Sequence, residues 1–286
     1  MMPVMADLAN KTFIITGANA GIGKITAREL ARQGAHVILA CRSKAKTEAV
    51  IADIKRETGN DKVEFVPLDL GDLASVRTCA ESILARELPI HGLINNAGLG
   101  GHRGQTKDGF ELQFGTNHLG HYLFTRLLLD RIKESGEARI VNVASKSHYA
   151  AKGIDWSVLQ SPTRSMTAMK EYSVSKLSNV LFTKELARRL EGTGVTTYAV
   201  HPGVVATEIW KRVPRPFRWA MKKFMITPEQ GAEASLRCAT APELAKETGR
   251  YYDVGGKETT PSKLSEDTEL AKTLWSKSAE WTGLAS

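Results

Sequence analysis

Residues 11–23, KTFIITGANAGIG, carry an apolar stretch of strand length directly into a turn that holds three glycines, Gly17, Gly21 and Gly23. The next residues, GIGKITARELARQG (21–34), repeat apolar side chains at helical spacing, and HVILACR (36–42) returns to a short apolar run. Strand, helix and strand in that order make a βαβ unit. Backbone without Cβ atoms lets a phosphate approach a helix N-terminus, where unpaired N–H groups and the helix dipole favour an anion. The spacing, G-x-x-x-G-x-G, departs from the G-x-G-x-x-G dinucleotide fingerprint. Taken alone, it also allows a tight βα turn without a ligand.

The alternation continues through VEFVPLDL, GLINNAG, ARIVNVAS, VTTYAVHPG and GRYYDVGG, each separated from the next by a helix-like segment. Strands apolar on both faces imply a mainly parallel, doubly wound sheet of about seven strands covered by helices on both sides. Nothing in the 286 residues reads as a linker or a repeat, so a single α/β domain over 1–286 is expected, with its core at about 8–256 and a helical tail at about 262–284. Local signals agree. Gly34 follows the first helix, Asp72 can cap the helix after the third strand, and Thr227-Pro228-Glu229-Gln230 reads as a capping box with proline at N1.

Composition narrows the function classes. Cys41, Cys79 and Cys238 are odd in number and far apart, which argues against a disulfide framework or a zinc knuckle and for a reducing compartment. MMPVMADLANK has neither the charged nor the apolar region of a signal peptide, and no stretch reaches the length of a membrane span, so a cytoplasmic protein is expected. The net charge of +8 is concentrated in residues 204–226, where Lys211, Arg212, Arg215, Arg218, Lys222 and Lys223 face the single acid Glu208. A charge total carried by one segment does not point to nucleic acid. His118 and His121 sit three apart without an acid or cysteine to complete a metal site, so no metal is expected, and no G-x-S-x-G elbow suggests a hydrolase.

Two positions sharpen the dinucleotide reading. The second strand ends in Cys41-Arg42-Ser43-Lys44, with no carboxylate to bond a ribose 2′-hydroxyl but with Arg42 and Lys44 placed to meet a 2′-phosphate. NADP(H) is therefore expected over NAD(H). Of the six tyrosines, only Tyr172 has a lysine four residues on, Lys176, and residues four apart share a helix face. A nearby ammonium, joined by the charge of an oxidised nicotinamide, would lower the phenol toward working pH.

In chain order, TGANAGIG (16–23), Asp69-Leu70, Asn95-Asn96-Ala97-Gly98, Asn117, Ser145, Tyr172-x-x-x-Lys176 and Pro202-Gly203 together resemble the short-chain dehydrogenase/reductase family, over about residues 8–256. GFELQFGTNHLGHYLFT, RIVNVASKSH and VTTYAVHPGVVATE are most similar to its retinol-dehydrogenase-like branch. The resemblance implies a Rossmann fold and a Ser-Tyr-Lys-Asn tetrad. Tyr172 would be the proton donor and acceptor, Lys176 would hold the nicotinamide ribose, Ser145 would bond the substrate oxygen, and Asn117 would help hold a water leading from Lys176 to solvent. Ser147 is a rival to Ser145, which is preferred for its place at the strand end. For the cofactor, the resemblance implies contacts from Gly17, Asn19, Ala20, Gly21, Ile22 and Gly23. It adds Asp69 and Leu70 near the adenine, Asn96 beside the adenosine half with Ala97 and Gly98, then Pro202 and Gly203, with Val205 and Thr207 at the carboxamide.

The expected activity is interconversion of an apolar aldehyde or ketone with its alcohol by hydride transfer. The competing expectation is an NADP-binding sensor or scaffold without turnover. The basic, aromatic segment 204–226, with Trp210, Phe217, Trp219 and Phe224, is read as a lid over the substrate whose cations would also let it rest on an anionic membrane. The resemblance further implies a homodimer or homotetramer paired through the helices that carry Asn117 and Tyr172. The tail with Trp275 and Trp281 reads as a cover for the core or an interface.

Overall fold

A computed structural model describes residues 7–203 and 226–285. The segment read above as a substrate lid, up to residue 225 and with Val205 and Thr207, lies outside the described residues. Seven apolar runs form the strands of one parallel sheet: β1 (Thr12–Thr16), β2 (His36–Cys41), β3 (Val63–Pro67), β4 (Gly92–Asn95), β5 (Ala138–Val143), β6 (Val195–Val200) and β7 (Arg250–Tyr252). Their order is β3-β2-β1-β4-β5-β6-β7, every neighbouring pair parallel. The chain winds outward from β1 to one edge, then returns past β1 through β4 to the other. This places a switch point between β1 and β4, where the carboxyl ends of the strands leave a crevice.

Helices cover both faces because the strands are apolar on both. α1 (Gly21–Arg32), α2 (Lys44–Thr58) and, late in the chain, Pro228–Thr240 pack on one face, burying Leu30, Ile54, Ala234 and Cys238 against Ile15, Leu39 and Val141. On the other face, α3 (Leu73–Leu84) packs beside a helix that begins as α4 (Leu112–Phe114), passes through a π turn (Gly115–Leu119) and continues as α5 (Gly120–Glu134). α6 (Met169–Arg189) completes that layer. In chain order Pro228–Thr240 is α7, and Thr268–Thr282 is α8. The caps fall where the sequence places them. Gly34 adopts φ +86° just past α1, Asp72 accepts the amides of Ala74 and Ser75, and Thr227 with Gln230 closes a capping box.

The tail belongs to the core. Trp275 on α8 is buried between Tyr122 and Phe182, its ring flanked by the Arg126 and Arg189 guanidiniums at 4.7 and 4.3 Å. Arg126 also donates to the Ala285 carbonyl at 2.8 Å, and His118 bonds Ser278 at 3.1 Å. α8 thus lies over α5 and α6. Among the described residues, no helix is long and apolar enough to cross a membrane.

Candidate active site

At the end of β1 the chain must turn sharply into α1, and two glycines have no substitute there. Gly17 holds φ +66°, and a Cβ on it would sit 2.8 Å from that of Ala97. A Cβ on Gly23 would sit 2.5 Å from Asn96 Nδ2 and 2.7 Å from the Gly17 carbonyl. The N-cap of α1, Ala20, has no side chain that can bond the first amides, and the first turn holds no acid. Orphaned amide hydrogens beside a cradle without Cβ atoms fit the pyrophosphate of a dinucleotide. Asn19 is steadied from below, its amide donating to Thr47 Oγ1 at 3.3 Å. The turn's amides also face the buried Cys41 thiol, whose pKa burial raises despite them and the Thr47 hydroxyl.

The neighbouring loop is bound to this turn. Asn96 Nδ2 donates to the Thr16 carbonyl at 2.8 Å, while the Asn96 and Ala97 amides donate to Thr16 Oγ1 at 2.9 and 3.0 Å. The Asn96 side chain is therefore committed to shaping the cradle. Arg42, at the end of β2, is largely exposed, and its guanidinium lies 3.9 Å from the Asp69 carboxylate. Lys44 opens α2 and sits 3.7 Å from Glu48. Asp69 uses its other oxygen on the Gly71 amide at 3.0 Å, and Leu70 turns into the core.

The tetrad residues come from three elements. Tyr172 and Lys176 lie one turn apart on α6, with Lys176 Nζ 5.7 Å from the centre of the Tyr172 ring. Nζ is buried and donates to the Val143 carbonyl at 2.9 Å, a group also bonded by Asn179. Gly98 faces this ammonium closely enough that a Cβ there would lie 3.5 Å from Nζ. Ser145, two residues beyond β5, accepts the Ser147 amide at 3.2 Å and donates to the Ser147 hydroxyl at 3.3 Å. Asn117 sits in the π turn, fully buried. Its side chain takes the Leu99 amide at 2.7 Å and donates to the Leu99 carbonyl and Ser175 Oγ at 2.9 and 3.0 Å. π turns inside α-helices often mark functional sites.

Electrostatics differ from the expectation for Tyr172. Burial raises its phenol above the ordinary value, with the Ser145 hydroxyl opposing, so Lys176 alone does not lower it. The same burial explains why. An ammonium taken out of water is itself penalised, and Lys176 is pushed down to about 8. The second contributor to the expected lowering, an oxidised nicotinamide, enters only with the cofactor.

Several supporting residues escape sequence reading. Glu111 is a buried carboxylate that caps α4 by accepting the Gln113 and Phe114 amides at 2.9 and 2.7 Å, and it also takes the Thr163 hydroxyl. Gln113 reaches the Ala168 carbonyl at 2.6 Å, holding the start of α6 where Ala168 adopts φ +57°, an unfavourable conformation for a residue with a Cβ. His148 donates Nδ1–H to the Ser145 carbonyl at 2.7 Å and accepts the Ser262 amide at Nε2, 3.0 Å. His118 and His121 point apart, toward Ser278 and toward Thr16. Part of the signal is local, since Glu111 caps amides just beyond it and His148 and His121 each bond a carbonyl about one turn back, whereas their bonds to Thr163, Ser262 and Thr16 are tertiary.

Relatives place this arrangement. A family model described as short chain dehydrogenase matches residues 11–216. Retinol dehydrogenase 13 of Homo sapiens is 46% identical, over 99% of this chain and 87% of its own length. A crystal structure of an uncharacterised protein from Mycobacterium paratuberculosis superposes with a TM-score of 0.80 at 35% identity, covering 98% of this chain and 96% of that one. The 3-ketoacyl-(acyl-carrier-protein) reductase of Brucella melitensis, solved with NADH, gives 0.68 at 29% identity over 87% of this chain and 99% of its own. The glycine cradle, the parallel sheet and these matches along nearly the whole chain have one common explanation: the protein belongs to the short-chain dehydrogenase/reductase family of oxidoreductases, in its retinol-dehydrogenase-like branch.

Proposed function

We propose that this protein interconverts an apolar aldehyde or ketone and its alcohol with NADP(H), using Tyr172 as acid/base. The observation that carries the reading is Tyr172 one helix turn before a buried Lys176 that is anchored on the Val143 carbonyl, two residues before Ser145 at the carboxyl end of β5, with β4 between that strand and the glycine cradle after β1. When bound, NADPH supplies the hydride. Tyr172 Oη donates its proton to the substrate oxygen, and Ser145 Oγ holds that oxygen in line. A phenol raised by burial keeps its proton until the acceptor oxygen gains charge, as a general acid should. Lys176, anchored on the Val143 carbonyl, holds its ammonium toward the Gly98 side, where the nicotinamide ribose would lie.

The preference for NADP(H) rests on Arg42 and Lys44 at the end of β2, where a 2′-phosphate would find two exposed cations. Three free, widely separated thiols support a cytoplasmic setting. α8 covers the face of α5 and α6 assigned to subunit pairing, so a homodimer or homotetramer built there would pair through the outer side of α8.

The test is oxidation of NADPH and of NADH by the purified protein with a panel of aldehydes and ketones. Retinal heads the panel because of the name of the human relative, and Tyr172→Phe runs alongside. Turnover with at least one carbonyl that the variant loses supports the reading. Tight NADPH binding with no turnover for any carbonyl replaces it with the sensor or scaffold reading.

A further inference from the structure

His121 is buried on α5 and joins two regions that the sequence keeps far apart. Its Nδ1 lies 3.0 Å from the Asn117 carbonyl and its Nε2 lies 2.8 Å from Thr16 Oγ1. A carbonyl can only accept, so Nδ1 carries the hydrogen and Nε2 is the acceptor. Thr16 must then donate its hydroxyl hydrogen to His121, leaving its oxygen to accept the Asn96 and Ala97 amides. From Ala97 the chain runs through Gly98 to Leu99, whose amide and carbonyl are both held by the Asn117 side chain. Asn117 returns to His121 through its own carbonyl. The result is a closed circuit in which the side chains of Thr16, His121 and Asn117 all have partners and only one tautomer of His121 works.

We infer that His121 is a positioning residue that locks the glycine cradle and the Asn96–Leu99 loop to the π turn carrying Asn117, fixing the distance between the cofactor cradle and the tetrad. Gly98, inside the circuit, is the residue that faces Lys176 Nζ. A shift of this loop would move the bound dinucleotide relative to Lys176 and Tyr172. Burial holds the imidazole down to about 4, so it stays neutral and keeps this tautomer at working pH. A fully satisfied buried network is stiff, while one with a missing member leaves unpaired groups in a low dielectric.

The inference rests on the oxidoreductase reading, so the experiment separates the two. Calorimetry first measures NADPH and NADH binding to the unaltered protein, and absence of both overturns the proposed function and this role with it. With binding and turnover established, His121→Phe removes both hydrogen bonds while keeping a ring of similar shape. Misplacement on the ångström scale predicts a kcat lower by about 10- to 100-fold with substrate KM little changed. The Kd for NADPH, read by calorimetry, should rise. Thr16→Val should act alike, Thr16→Ser should restore near-normal values, and the double variant should lose far less than the product of the single losses, because both open one circuit. If His121→Phe does not fold, His121→Asn, which can keep the Asn117 bond but not the Thr16 bond, is read in its place. A lowered Tm with kcat and Kd within twofold of the unaltered protein would overturn the role, and so would losses that simply multiply.

Discussion

The cofactor side and the tail side of the candidate site are built in opposite ways. Around the β1–α1 turn, backbone amides and glycines within a few residues of each other form the cradle, and the Thr16 and Asn96 side chains tie it to the neighbouring loop. On the other side, residues 259–285 reach far back along the chain. Ser262 bonds His148, which holds the Ser145 carbonyl, Tyr149 bonds the Thr260 carbonyl at 2.5 Å, and Trp275 fills the gap over α5 and α6. A cradle for an invariant ligand group needs backbone shape, which few substitutions preserve. A wall that supports the substrate side needs only volume and a few bonds, which many sequences supply.

The largest expected effects test whether the two sides meet at Tyr172. Tyr172→Phe should lower kcat by about 10²- to 10⁴-fold, the range for loss of a general acid, with NADPH affinity and Tm unchanged. A residual rate above a tenth of normal would transfer the proton to another group. On the tail side, Trp275→Ala should cost about 3–5 kcal/mol of stability, as for other large buried aromatics, measured by urea unfolding. A loss below about 1 kcal/mol would make α8 an appendage, and the contrast drawn above would fail. On the cofactor side, Gly23→Ala forces a Cβ onto the Asn96 amide and the Gly17 carbonyl, and should weaken NADPH binding by about tenfold or more, which is 1.4 kcal/mol, with a smaller change in stability.

Lys176 offers a pH test between the two sides. The folded protein releases its proton near 8 and the unfolded chain near 10.5, so the unfolded state binds more protons between those values and stability rises with pH there. The slope contributed by this residue is at most about 1.4 kcal/mol per pH unit. Lys176→Met should lack it when unfolding free energies are compared between pH 8 and 9.5. An equal slope in both proteins would show that the ammonium is solvated. The smallest effect concerns specificity: Arg42→Asp should shift the ratio of kcat/KM values toward NADH, and an unchanged ratio would remove Arg42 from the 2′-phosphate.

Much of this was legible before any coordinates. The alternation of strands and helices, the glycine turn, the caps at Asp72 and Thr227 and the one-turn spacing of Tyr172 and Lys176 are local or periodic properties, written within windows of about a helix turn or a strand. Tyr172 carried its partner in the sequence because positions four apart meet on a helix whatever surrounds them. The direction of its pKa did not, since burial depends on everything packed around α6.

The sequence by itself determined that a parallel α/β sheet would carry a glycine-rich turn after its first strand and a tyrosine and lysine one turn apart on a later helix. Only the tertiary structure decided what holds them in register: His121 between Thr16 and Asn117, His148 between Ser145 and the tail, and Trp275 beneath the two arginines. Histidine and tryptophan have no periodic signature. Their roles follow from which distant groups need a donor, an acceptor or a volume filled, and those needs arise only once the chain has folded.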